Sequence, residues 1–192
     1  MSDLRIVLKD SVTNDDVSRL AWQQNWELYD LLPRTEKAPL TKIWITHDEQ
    51  TGIHYIEDFY IGVRYLLLRG NALEEIADKI QASLDTYSLE ELHQKVGEVK
   101  EKNECIAVIL RLGAAMTQDY DPRIFQDFKT MMSHPDPDVR EAAMFATTYA
   151  GWREFREPLQ QLKEHDPEPT VRKFARTTLE SLANNYWQEK AG

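Results

Sequence analysis

From about residue 58 to the C-terminus, apolar residues recur at helical spacing and are interrupted by short polar turns, so this stretch reads as a series of helix pairs. The spacing predicts helices near 103–116, 122–132, 136–150, 153–165 and 169–188, with Gly151 closing the third of these. "NALEEIADKIQASL" and "SLEELHQKVGEVKEK" read as two further helices, started by capping boxes at Asn71/Glu74 and Ser88/Glu91. "FYIGVRYLLLRG" is taken as the helical partner of the first of them, with a third strand as the competing assignment.

The N-terminal pattern differs. Residues 14–32, "NDDVSRLAWQQNWELYDLL", predict one helix capped by Asn14 and ended before Pro33. One stripe carries Val17, Leu20, Ala21, Leu28, Leu31 and Leu32, and a second beside it carries Trp22, Trp26 and Tyr29. Residues 40–57 alternate β-branched and aromatic residues around the polar turn "HDEQTG" and predict a β-hairpin. A lone hairpin is marginal in water, so it needs helices to pack on.

Within the helical region, residues 134–147 align with 166–179: Pro135 with Pro167, Asp136 with Glu168, Pro137 with Pro169, Val139 with Val171, Arg140 with Arg172 and Ala143 with Ala175. Proline favours the first helical turn and acids favour a helix N-terminus, so each cluster starts a helix. Arg140 and Arg172 have two readings. They form a basic ladder for a carboxylate or phosphate, or each pairs with an acid or a carbonyl in the adjoining turn, as with Asp136 or Glu168, which is the reading that recurrence favours.

These two stretches, "DPDVREAAMFATTYAG" and "PEPTVRKFARTTLESL", resemble the HEAT-like repeats of the phycobilisome-lyase type; the similarity is good over 134–183, loose over 103–132 and slight before that. The resemblance implies a mainly α fold: a short HEAT-like α-solenoid of antiparallel helix pairs whose second helices line a concave, partner-binding face. An N-terminal helix and β-hairpin over 1–57 would cap the repeat domain, 58–192. Some relatives help attach bilin chromophores to light-harvesting proteins, and no catalytic residue carries over to this sequence.

Composition narrows the function classes. A net charge of -10 and the lack of a long basic block disfavour nucleic acid as a partner. Cys105 is the only cysteine, so neither a disulfide framework nor a thiolate metal cage is expected. No apolar run approaches the roughly 20 residues that span a bilayer, and "MSDLRIVLKD" lacks a signal-peptide pattern, so a cytoplasmic location without membrane association is expected.

Chemistry-bearing motifs are absent. His47, His54, His93, His134 and His165 are scattered without metal-ligand spacing, so no metal site is expected. Ser133 beside His134 is mere sequence adjacency, and the chain has neither a Gly-x-Ser-x-Gly elbow nor a glycine-rich phosphate loop. No catalytic residue and no cofactor are assigned.

Two candidate binding surfaces remain. In "REFREPLQQLKEH", Arg153, Arg156, Gln160 and Lys163 form one flank, and Arg153, Arg156 and Lys163 are candidate contacts to an acidic partner. Trp22, Trp26 and Tyr29, with Trp44 and Tyr55 of the hairpin, form either an exposed aromatic platform or a buried sandwich. The expected function is a non-enzymatic protein-interaction scaffold; a bilin lyase or lyase-associated chaperone is the alternative, and a nucleic-acid-binding solenoid the weaker one.

Overall fold

The computed structural model describes residues 3–187. Among them are five β-strands and eight α-helices. The chain divides into two compact units, Met1–Ser88 and Leu89–Gly192. It is therefore a mixed α/β protein, and the expected mainly α solenoid is overturned by a five-stranded antiparallel sheet in the first unit.

The sheet unit runs β1 (Leu4–Val7), α1 (Asn14–Gln23), β2 (Glu27–Leu32), β3 (Leu40–Ile45), β4 (Thr51–Asp58), β5 (Val63–Gly70) and α2 (Leu73–Ser83). Its strand order is β1-β5-β4-β3-β2. The expected hairpin is β3–β4, with Leu40 opposite Glu57 and Ile45 opposite Gly52. The stretch expected to be its neighbouring helix holds instead the strand β5, paired with β4 on one side and β1 on the other. An apolar run such as "YLLL" satisfies a doubly paired strand as readily as a buried helix, and the pairing decides it.

The predicted 14–32 helix is cut short. Thr13, rather than Asn14, caps α1: its hydroxyl accepts from the Asp16 N–H (3.3 Å), and the Asp16 carboxylate accepts from the Thr13 N–H (2.9 Å). At the other end Asn25 takes a left-handed backbone (φ 54°). The Trp26 N–H then donates to the Ala21 carbonyl (2.9 Å) and the Asn25 N–H to that of Trp22 (3.2 Å), a Schellman closure. The chain then leaves as β2. No capping box forms at Asn71/Glu74; α2 starts from Ala72 in a left-handed conformation, and the Asn71 N–H donates to the Gln50 carbonyl (3.2 Å).

Both helices cover one face of the sheet. Val17, Leu20 and Ala21 of α1 and Ile76, Ala77 and Ile80 of α2 share a buried cluster with Ile6, Trp44, Ile53, Tyr55, Leu66 and Leu68. The register places these sheet residues side by side, Ile6 and Tyr55 flanking Leu66, and Trp44 opposite Ile53.

The helical unit contains α3 (Leu89–Glu98), α4 (Lys102–Ala115), α5 (Pro122–Met132), α6 (Pro137–Ala146), α7 (Arg156–His165) and α8 (Pro169–Asn185). The helices pack in pairs, α3 with α4, α5 with α6 and α7 with α8; α4, α6 and α8 also pack in sequence, as do α3, α5 and α7. The helix expected to reach Ala150 ends at Ala146 and continues as one 3₁₀ turn over Thr147–Tyr149. Gln188, the expected end of the last helix, lies outside the described residues. At Gly113 of α4 an added Cβ would lie 2.6 Å from the Ala146 Cβ, so only glycine permits this approach of α4 to α6.

Candidate functional site

The repeated Pro, acid and Val-Arg turns are the first place to look for chemistry, and Asp136, Arg140 and Arg172 are used there to hold the backbone. Pro137 occupies the first turn of α6 behind Asp136, whose carboxylate accepts from the Asp138 N–H (2.9 Å). Arg140 Nη1 donates to the carbonyls of His134 (2.8 Å) and Pro135 (3.0 Å). Arg172 Nη1 donates to the equivalent carbonyls of Asp166 (2.5 Å) and Pro167 (3.0 Å).

Arg140 does more. Its Nε and Nη2 form a bidentate pair with the Asp166 carboxylate, both at 2.8 Å, and both residues are buried. Burial works against the Asp166 charge, but the Arg140 guanidinium and the Glu168 N–H outweigh it and hold the carboxyl below the usual carboxylate range. Ser133 and His134 form no dyad: the Ser133 hydroxyl donates to the Lys129 carbonyl (2.9 Å), and His134 Nδ1 accepts from the Asp136 N–H (3.1 Å). The buried Cys105 thiol is pushed up by burial, away from the thiolate form that attacks substrates. Among the described residues no group of three His, Cys, Asp or Glu could hold a metal ion.

The basic candidates of α7 lie at the last helix pair. On α7, Pro158 and Leu162 line a cleft with Phe125 and Met132 of α5, so Arg156, Gln160 and Lys163 face away from α5. These three meet Arg176, Leu179, Glu180 and Ala183 of α8, and Trp187 beyond it, around a groove of about 290 Å³. The floor is apolar, built from Leu179, Ala183 and Trp187, and three cations surround it. Among the described residues, neither Arg156, Lys163 nor Arg176 has an acid within ion-pair distance. The Trp187 indole N–H donates to the Gly151 carbonyl (2.8 Å), which fixes the ring at one end of the groove. Arg153 reaches the rim, with Nη2 donating to the Trp187 carbonyl (3.4 Å).

The structure thus brings Arg156 and Lys163 into one groove, with Arg153 at its edge, and adds Arg176 and Trp187, which the sequence did not single out. Because α7 packs with α8 that follows it, α7 is the first helix of its pair and not one of the second helices that the resemblance places on a concave face.

The aromatic candidates separate. Trp26 is buried with Trp44 and Tyr55 in the sheet-unit core. Trp22 at the end of α1 and Tyr29 on β2 are 79% and 73% exposed. No family model, curated protein or solved structure matches the chain.

Proposed function

We propose that this protein is a non-enzymatic protein-interaction module whose helical unit takes an acidic, amphipathic helix of a partner protein into the α7–α8 groove. The observation that carries this reading is the placing of Arg156, Lys163 and Arg176, free of ion pairs among the described residues, around the apolar strip Leu179, Ala183 and Trp187. An apolar strip rimmed by cations suits a helix with one apolar and one acidic face. In a chain of net charge -10, three cations against the single carboxylate of Glu180 in one groove are a local reversal that steers acidic partners.

No helix among the described residues is long and apolar enough to cross a membrane. A cytoplasmic location belongs to the same proposal, supported by the buried, unpaired thiol of Cys105, which suits a reducing compartment.

The test is calorimetric titration of the full chain with a synthetic amphipathic peptide carrying leucine on one helical face and glutamate on the other. Its lysine counterpart and a polyuridine RNA serve as comparisons. The glutamate peptide is expected to bind, to weaken with added salt, and to lose at least tenfold in affinity in an Arg156→Glu, Lys163→Glu, Arg176→Glu variant of unchanged thermal stability. Binding of the RNA alone, or equal binding of both peptides, would overturn the proposal.

A further inference from the structure

The two edges of the sheet are treated differently. At the C-terminal end of β1 the outer edge is covered by residues 85–87: the Lys9 N–H donates to the Asp85 carbonyl (2.9 Å), the Tyr87 N–H donates to the Val7 carbonyl (2.8 Å), and Leu8 bridges Thr86. β2, at the opposite edge, pairs only with β3 among the described residues, and all six of its residues are exposed. Its bulge between Leu28 and Asp30 sets Leu28 opposite Trp44 and Leu31 opposite Lys42, which puts both leucines on the helix-covered face of the sheet. Trp22 stands at the end of α1, the helix that covers that face with Val17, Leu20 and Ala21.

Among the described residues, five of the eight exposed large apolar ones, Trp22, Leu28, Tyr29, Leu31 and Leu32, fall within this one segment. An uncovered strand edge combined with contiguous apolar side chains is the arrangement that soluble proteins otherwise avoid. From the uncovered β2 edge and its apolar border we infer that two copies of this chain pair through β2, antiparallel about a two-fold axis, and join their sheets into one of ten strands.

The occupant follows from symmetry and area. A two-fold axis apposes the same patch on both copies, so apolar residues meet apolar residues without a second surface being needed. The five side chains leave on the order of 500 Å² exposed per copy, so covering all of them in a pair would remove up to roughly 1,000 Å², the lower bound for a specific interface. An antiparallel register that sets Leu28 against Leu31 of the other copy also sets Glu27 against Leu32.

Because each copy carries a net charge of -10, the association works against overall repulsion and strengthens as salt screens it. Capture of an acidic helix by the α7–α8 groove has the opposite salt dependence, so the two proposals fail independently.

Sedimentation equilibrium of the full chain across a wide concentration range tests the pairing. The wild type is expected to show a monomer–dimer equilibrium that tightens with added sodium chloride. Leu31→Lys and Leu28→Lys, each at an exposed position and each placing lysine on the edge, are expected to weaken it at least tenfold with unchanged circular dichroism and melting temperature. A wild type that stays monomeric, or a dimer that survives both lysine variants, would overturn the inference. So would a dimer dissolved instead by Arg156→Glu.

Discussion

Arg140 and Arg156 stand on neighbouring helices of one unit and are used in opposite ways. Arg140 is buried, donates to two carbonyls of its own turn and grips the carboxylate of the next turn. Arg156 is exposed, has no ion pair among the described residues, and stands beside an apolar strip with two other cations. The contrast teaches that charge in a helical array holds the array where backbone carbonyls and a carboxylate converge on it. Where no such acceptors converge, charge is left over for a partner. Removing a cation of the first kind should cost stability, and removing one of the second kind should cost only binding.

The largest effect is expected at the buried pair. Arg140→Ala leaves the Asp166 carboxylate uncompensated and should destabilise the protein by about 3–5 kcal/mol in chemical denaturation. An Arg140→Met, Asp166→Leu double variant removes both charges and should recover much of that loss. Acid titration probes the same contact: the folded state holds Asp166 below its unfolded pKa, so its stabilisation is complete above that value. The stabilisation should fade as the pH falls below about 4 through the lowered folded pKa, and an Asp166→Asn variant should lose that part of the acid dependence.

A smaller loss is expected where packing rather than charge is tight. Gly113→Ala drives a methyl group into Ala146 and should cost about 1–3 kcal/mol, read as a lowered denaturation midpoint. Arg172→Ala removes two backbone contacts of a less buried side chain and should cost about 1 kcal/mol. The smallest change closes the comparison. Arg156→Ala and Lys163→Ala should alter stability by no more than about 0.5 kcal/mol while weakening capture of an acidic helix. A large stability loss there would place these cations with Arg140 and break the distinction.

Much of the helical unit was legible because its signals are local. Asp121-Pro122 and Asp136-Pro137 announce α5 and α6, and the alignment of Arg140 with Arg172 pointed to a turn-tying role that their matching carbonyl contacts bear out. What the alignment could not supply was the Asp166 carboxylate as a partner for Arg140 alone, since His134 stands at the matching position.

The sheet unit hid its signals. Leu28, Leu31 and Leu32 satisfy helical spacing, so β2 read as a continuation of α1, and only the left-handed Asn25 marks the break. At four residues, β1 is too short to show periodicity. β5 is decided by strands on both sides of it, which no window along the chain contains. The groove was half legible for a similar reason. Arg156 and Lys163 share a helical flank, whereas Arg176 and Trp187 join them only through the packing of α8 on α7.

The distinction between structural and recognition charge is tested most directly by hydrogen–deuterium exchange of the full chain with and without the acidic amphipathic peptide. Protection is predicted within Arg156–His165 and Pro169–Asn185, with no change along Pro137–Ala146, where Arg140 is already committed. Protection confined to other helices, or to the strands of the sheet unit, would contradict the assignment of the α7–α8 groove as the binding surface.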